Sequence, residues 1–256
     1  MKLLIGIKFI GTGYCGWQKQ KNRVTVQEVI TSASHKLFGF ECDVTGSSRT
    51  DSGVHANAFC ATVAKKGENR IETTIPAEKL PLAYNNILPD DVAVIFARWV
   101  DDDFHPRYGV AYKEYVYKIY DSPVRDPFAF ERSWNIPHRF DDEAILLMNE
   151  AAAHFCGMHD FSAFMATGSK IEDAVRTVKY AKCVRNGDFV ELYIAADGFL
   201  YNMVRIIAGT LVEVAERKLS PSDIPSIIEK KQRKLAGRTA PACGLYLNKV
   251  VYDQTK

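Results

Sequence analysis

The sequence predicts an α+β protein, and three observations carry that prediction. Its 256 residues have an ordinary globular composition, 47% hydrophobic and 25% charged, enough to bury a core without disulfide or metal staples. Stretches with apolar residues at period two and stretches with apolar residues at helical spacing follow one another in both halves of the chain. Glycines, prolines and short polar residues punctuate the joins between them. Both halves therefore mix antiparallel strands with helices.

The elements follow in order. Leu3 to Ile10 alternates as a first strand and runs into a loop carrying Gly11, Gly13 and Gly16, which is expected to present Tyr14, Trp17 and Gln18. Thr25 and Glu28 form a T-x-x-E capping box ahead of Val26, Val29, Ile30, Ala33 and Leu37 at helical spacing, and Gly39 stands in the stop position. Val44 to Val63 reads as strand, polar loop and strand. A short Pro-flanked helix is predicted over Pro76 to Tyr84, then a strand over Val92 to Val100. Beyond it, Val110 to Tyr120 alternates as a strand. Asp141 to Phe155 reads as a helix capped by Asp141 and closed by Gly157, followed by strands near Thr177 to Val184 and Phe189 to Ala195. Asn202 to Lys218 is a long apolar helix, Ser220 and Pro221 cap and open another, and Leu245 to Tyr252 is the last strand.

The sharpest local charge run, Asp101-Asp102-Asp103, follows the Val92–Val100 strand. It reads equally as a solvated turn and as a boundary, which divides the chain into 1–103 and 104–256. With 33 Lys+Arg against 31 Asp+Glu the net charge is +2, too small for a whole-chain field, so a nucleic-acid partner has to be met by a local basic surface. The six cysteines form no C-x-x-C pair and no regular framework, which points to a reduced, cytoplasmic compartment without disulfides. Met1 to Ile10 is interrupted by Lys8 and reads as a strand rather than a signal peptide. The most apolar later stretch, Phe199 to Ala215, carries Arg205 and Glu213 and falls short of the roughly 18 apolar residues that a membrane span needs. His154, Cys156 and His159 do not make a standard zinc ligand set, and no metal is expected.

The most unusual segment is Gly46-Ser47-Ser48-Arg49-Thr50-Asp51-Ser52-Gly53-Val54-His55-Ala56. It packs small residues around one Arg, one Asp and one His between two apolar strands. A plain exposed turn uses the same residue types for local hydrogen-bonding reasons, and a tight functional loop is the other reading. A Ser48-Asp51-His55 triad is disfavoured, because residues so close on a loop seldom reach the geometry and G-x-S-x-G is absent.

Arg49-Thr50-Asp51-Ser52-Gly53-Val54-His55-Ala56 resembles the R-T-D-x-G-V-H-A signature of the tRNA pseudouridine synthase A family. Four further segments resemble that family's motifs in order: Tyr14 to Gln20 with Val26-Gln27-Glu28, Phe104 to Arg107 with Tyr115-Val116-Tyr117, Phe199 to Arg205, and Gly244 to Leu247. Together they span nearly the whole chain. One departure stands out: the family usually has Gly directly before R-T-D, and this chain has Ser48. If that position needs a positive φ, Ser costs about 1 kcal/mol or more there.

The resemblance implies two similar mixed lobes whose antiparallel strands join into one sheet, with an active-site cleft between the lobes. It implies isomerisation of uridine to pseudouridine in tRNA, at positions 38, 39 and 40 of the anticodon stem-loop, by a homodimer. Asp51 is implied as the catalytic carboxylate, which attacks or stabilises positive charge at the anomeric carbon. Arg205 is implied as its cationic partner, since an ionised carboxylate that is partly buried needs one; read without the resemblance, it is a helix arginine reaching for solvent. Arg49 is implied to assist flipping of the uridine out of its stack. Tyr115 is implied to stack on the base and serve in proton transfer, against an ordinary packing role on its strand. Leu245 is implied as an apolar pocket wall. Arg107 is a candidate for contact with RNA phosphate, with Lys19, Lys21, Arg23, Lys65, Lys66 and the cluster Lys230, Lys231, Arg233, Lys234, although such runs are usually solvated faces. No cofactor is required, because the uracil leaves and rejoins one sugar. Two rivals are a catalytically idle tRNA-binding chaperone and a carboxylate-dependent nucleoside hydrolase. The joint presence of Arg49, Asp51, Tyr115 and Arg205 weighs against the first, and the second lacks an identifiable second acid.

Overall fold

A computed structural model describes residues 1–168 and 171–253. Among the described residues, five α-helices mix with ten strands that pair almost entirely antiparallel, as the sequence predicts. It forms two compact units. The first is Met1–Ala111 together with the strand residues from Leu247 onward, and the second is Tyr112–Tyr246.

In the first unit, β1 (Lys2–Phe9) is buried along most of its length because strands flank it on both sides. β3 (His55–Lys65) pairs with it through Leu3↔Val63 and Ile7↔Phe59. β4 (Val92–Val100) pairs on the other edge through Lys2↔Val100 and Phe9↔Val92. The outer edge of β3 takes β2 (Cys42–Gly46) and β10 (Leu245–Tyr252), and Asn57 Nδ2 donates to Asn248 Oδ1 at 2.8 Å. Helix α1 (Val26–Phe38) forms where the capping box stands: Thr25 Oγ1 accepts from Glu28 N, and Gly39 ends the helix. Of the predicted apolar stripe, Val26, Ile30 and Ala33 are buried together with Ser34, while Val29 and Leu37 are half-buried. Helix α2 (Leu80–Asn85) follows a 3-10 turn and brings Tyr84 against α1, where the Tyr84 and Ser34 hydroxyls meet at 2.8 Å. The Asp101–Asp103 run is a turn after β4, in which Phe104 N reaches Asp101 O and Asp102 pairs with the Met1 amine at 2.8 Å.

In the second unit the strand order is β5 (Val110–Asp121), β9 (Phe189–Ala196), β8 (Val175–Asn186), β7 (Gly157–Asp160), with β6 (Trp134–Ile136) parallel to β5. Tyr117 lies opposite Leu192, and Leu192 opposite Cys183. Helices α3 (Asp142–Ala153) and α4 (Met203–Ala215) complete this core. Asn149 ties α3 to β8 by exchanging hydrogen bonds with the Cys183 main chain, both at 2.9 Å. α4 is buried on nearly every side, in keeping with a largely apolar sequence that only Arg205, Thr210 and Glu213 interrupt.

Two expectations about boundaries are corrected. α3 ends at Ala153 with His154 as its cap; Gly157, at φ 101°, opens β7 instead of closing the helix. α5 (Asp223–Lys230) is capped by Ser222, not Ser220, because Ser220 N bonds to Asp223 Oδ2 at 2.8 Å and holds Ser220–Ser222 as a preceding turn. β6 and β7 are too short to show a period in sequence.

Candidate active site

The residues of the R-T-D segment form the connection from β2 to β3, and the glycine-rich loop after β1 clasps them. Trp17 N donates to Thr50 O at 3.2 Å, Ser52 Oγ to Tyr14 O at 3.1 Å and Gly53 N to Tyr14 O at 3.4 Å. Gly11 N donates to His55 Nδ1 at 3.0 Å, which fixes this fully buried imidazole as an acceptor on that nitrogen. Trp17 stacks on Phe59 with centroids 4.0 Å apart, and the Tyr14 hydroxyl donates to Asp91 Oδ1 at 2.6 Å. Burial and the Asp91 carboxylate push the Tyr14 phenol above its ordinary value. The two loops approach so closely at Gly16, where φ is +78°, that a Cβ there would stand 2.4 Å from Thr50 O.

This arrangement changes two expectations. Tyr14 and Trp17 are not presented to solvent; they are 6% and 1% exposed and act as pins beneath the loop, while Gln18 is exposed. Ser48 is buried and is not among the residues of positive φ, so no backbone penalty attaches to it. Arg49 is exposed, Asp51 half-buried and Thr50 buried. The Thr50 hydroxyl is buried and has no hydrogen-bond partner among the described residues. The loop that carries Arg49 and Asp51 is thus tightly braced by the segment after β1. Arg107, also in the first unit, is half-buried in a turn where its N–H donates to His105 Nδ1 at 3.1 Å.

Tyr115, Arg205 and Leu245 all belong to the second unit. Tyr115 is buried on β5 and meets Phe199 edge-on, with centroids 5.0 Å apart. Arg205 stands in the first turns of α4. Its Nε donates to Ala240 O at 2.8 Å and its Nη1 to Asn202 Oδ1 at 2.7 Å. Tyr117, two residues along the same face of β5, donates its hydroxyl to Pro241 O at 2.8 Å and packs against Gly244. Burial raises the Tyr117 phenol well above its ordinary value, and the nearby Arg205 and Arg238 charges oppose the shift. Tyr117 and Arg205 thus both anchor the segment Ala240–Gly244, which leads into the buried Leu245. The sequence shows Tyr117 as part of Y-x-Y, yet nothing in it reveals that its hydroxyl is bound to main chain. Asn202 falls within the Phe199 to Arg205 segment, yet nothing in the sequence reveals that its side chain binds Arg205.

The basic cluster is divided by the structure. Arg233 is a structural residue, donating to Ala236 O, Gly237 O and Thr239 Oγ1 at 2.9–3.2 Å, and Lys231 pairs with Asp160 at 2.8 Å. Lys230 and Lys234 are exposed. Lys65 and Lys66 pair with Glu68 and Glu41, both at 2.7 Å.

The braced R-T-D loop on a mixed, largely antiparallel α+β scaffold defines a class. Residues 5–109 and 151–253 match the family model described as tRNA pseudouridine synthase, and the chain belongs to that family. Among curated relatives, it is 45% identical over 247 residues to the tRNA pseudouridine synthase A of Acetivibrio thermocellus, covering 96% of this chain and 97% of that one. It is 44% identical over 250 residues to the protein of that name from Thermoanaerobacter sp., and 43% identical over 246 residues to that of Clostridium acetobutylicum. These cover 98% and 96% of this chain and 99% and 97% of the relatives.

Proposed function

We propose that this chain isomerises uridine to pseudouridine in tRNA, with Asp51 as the catalytic carboxylate. The observation that carries the reading is the half-buried Asp51 held on a loop by main-chain bonds from the Tyr14–Trp17 segment, in a chain of the tRNA pseudouridine synthase family. In the reaction the N1–C1′ bond breaks and a C5–C1′ bond forms. The C5 proton leaves and N1 gains a proton, so no oxidant, reductant or group donor is consumed. Asp51 either adds to the nucleoside or stabilises charge at C1′, and a bidentate Arg205 keeps it ionised. Arg49, exposed beside it, supports the extruded nucleotide. Tyr115 stacks on the uracil and its hydroxyl takes part in proton transfer, while Leu245 walls the pocket and Arg107 meets phosphate.

The anticodon stem-loop is the proposed target and the cytoplasm the proposed setting; among the described residues no helix is long and apolar enough to cross a membrane. A homodimer is proposed as the working form. Its support is the connection between β5 and β6, which exposes Val124, Phe128 and Phe130 at 71%, 85% and 72%, an apolar display suited to a second copy. The test of activity is tRNA tritiated at uracil C5. Each conversion releases one tritium to water, and absence of release by the purified chain on any tRNA contradicts the proposal.

A further inference from the structure

We propose that Asn202 is a positioning residue that sets the plane of the Arg205 guanidinium; the proposal rests on the reading of Arg205 as the partner of Asp51. Asn202 occupies the N-cap of α4 but breaks both habits of an N-cap residue. Its backbone is left-handed, at φ 60° and ψ 10°, where caps are normally extended. Its side chain accepts no N–H from the first turn; instead Oδ1 accepts from Arg205 Nη1 at 2.7 Å. The helix still starts at this residue, since Asn202 O accepts from Ile206 N at 3.0 Å. The capping oxygen has thus been diverted from the helix end to a guanidinium. Apart from glycine, Asn is among the few residues that tolerate the left-handed region, and glycine has no oxygen to offer. A residue that gives up a cap and adopts an uncommon backbone is expected at a functional position rather than a merely structural one.

The second anchor is Ala240. Its carbonyl takes Arg205 Nε at 2.8 Å, and its N–H returns to Arg205 O at 3.1 Å. The segment bearing Ala240 is laid on α4 at a glycine: a Cβ on Gly209 would stand 1.8 Å from Arg238 O, and Gly237 N donates to Thr210 Oγ1 at 2.9 Å. Two acceptors on two nitrogens of one planar group fix its rotation as well as its place. A carboxylate gripped by that group inherits the orientation, and a misplacement of about 1 Å at a reacting centre lowers rate by about a hundred-fold.

The test is a double-mutant cycle on the full chain, reading single-turnover conversion and tRNA affinity separately. Asn202→Gly keeps the left-handed backbone and removes the acceptor. It is expected to lower the rate by about ten-fold to a hundred-fold, with affinity and melting temperature nearly unchanged. Arg205→Lys keeps a charge and loses the fork, and adding Asn202→Gly to it is expected to have little further effect. Should the glycine variant melt early, Asn202→Asp, which keeps an acceptor and tolerates the same backbone, is expected to convert within a few-fold of the parent rate, and a loss as large as that of the glycine variant overturns the positioning role. Independent, multiplicative losses in the cycle, or a rate unchanged in Asn202→Gly, overturn the positioning role. A fully active Arg205→Lys instead overturns the reading of Arg205 itself.

Discussion

Replacing Gly16 by alanine puts one methyl group into the seam between the loop after β1 and the R-T-D loop. Two penalties follow from the geometry. At φ +78° an alanine is in left-handed backbone, which costs about 1–2 kcal/mol. The new Cβ would also lie 2.4 Å from Thr50 O, and an ordinary contact there is about 1 Å longer, so the Thr50 carbonyl has to retreat by roughly that distance. Thr50 is bonded directly to Asp51 in the chain and its carbonyl accepts from Trp17 N. The retreat therefore moves the proposed catalytic carboxylate. A 1 Å displacement corresponds to about a hundred-fold loss in the chemical step, well beyond what 1–2 kcal/mol of stability removes from a protein that stays folded. The assay is single-turnover tritium release with saturating enzyme at a temperature where circular dichroism shows Gly16→Ala fully folded. A rate within three-fold of the parent chain refutes the claim that the clasp sets Asp51.

Three further outcomes are expected. Ser48→Gly should lower stability by about 0.4–1 kcal/mol, because Ser48 is not in the left-handed region and glycine only adds freedom to the unfolded chain; an increase in melting temperature contradicts this. Tyr115→Phe keeps its edge-on contact with Phe199 and loses the hydroxyl, so tRNA binding should persist while conversion falls by about 10²-fold or more; full activity confines Tyr115 to stacking. Neutralising the exposed Lys230 and Lys234 together should reduce the slope of log affinity against log salt by roughly one for each phosphate that these lysines neutralise, whereas an unchanged slope removes them from the RNA footprint.

Much of the scaffold was legible because local signals agreed with the fold. The Thr25 capping box, the Asp141 cap and the strands read over Val92 to Val100 and Leu245 to Tyr252 place elements within a residue or two of where they stand. Signals failed where a residue's role is set from a distance. Gly157 looks like a helix stop, yet its positive φ serves the entry to β7. Ser220 looks like a cap, yet its N–H is taken by Asp223. At the site, R-T-D marks Asp51 in sequence, but the brace on it comes from Tyr14, Gly16 and Trp17, more than thirty positions away. Composition predicts a polar turn there; only the close approach shows why glycine and two large aromatics are needed. Arg233 illustrates the converse, since a basic run suggests phosphate contact while three acceptors within its own segment occupy it.

Incubation of the purified chain and of its Asp51→Asn variant with unmodified tRNA, followed by mapping of pseudouridine along the anticodon stem-loop, tests the central claim most directly. The substitution removes charge and nucleophilicity with almost no change in volume. The parent chain is expected to convert uridines there, and Asp51→Asn to convert none while binding tRNA within a few-fold. Conversion by the variant at the parent rate would contradict the assignment of Asp51, and absence of pseudouridine with either protein would contradict the proposed activity.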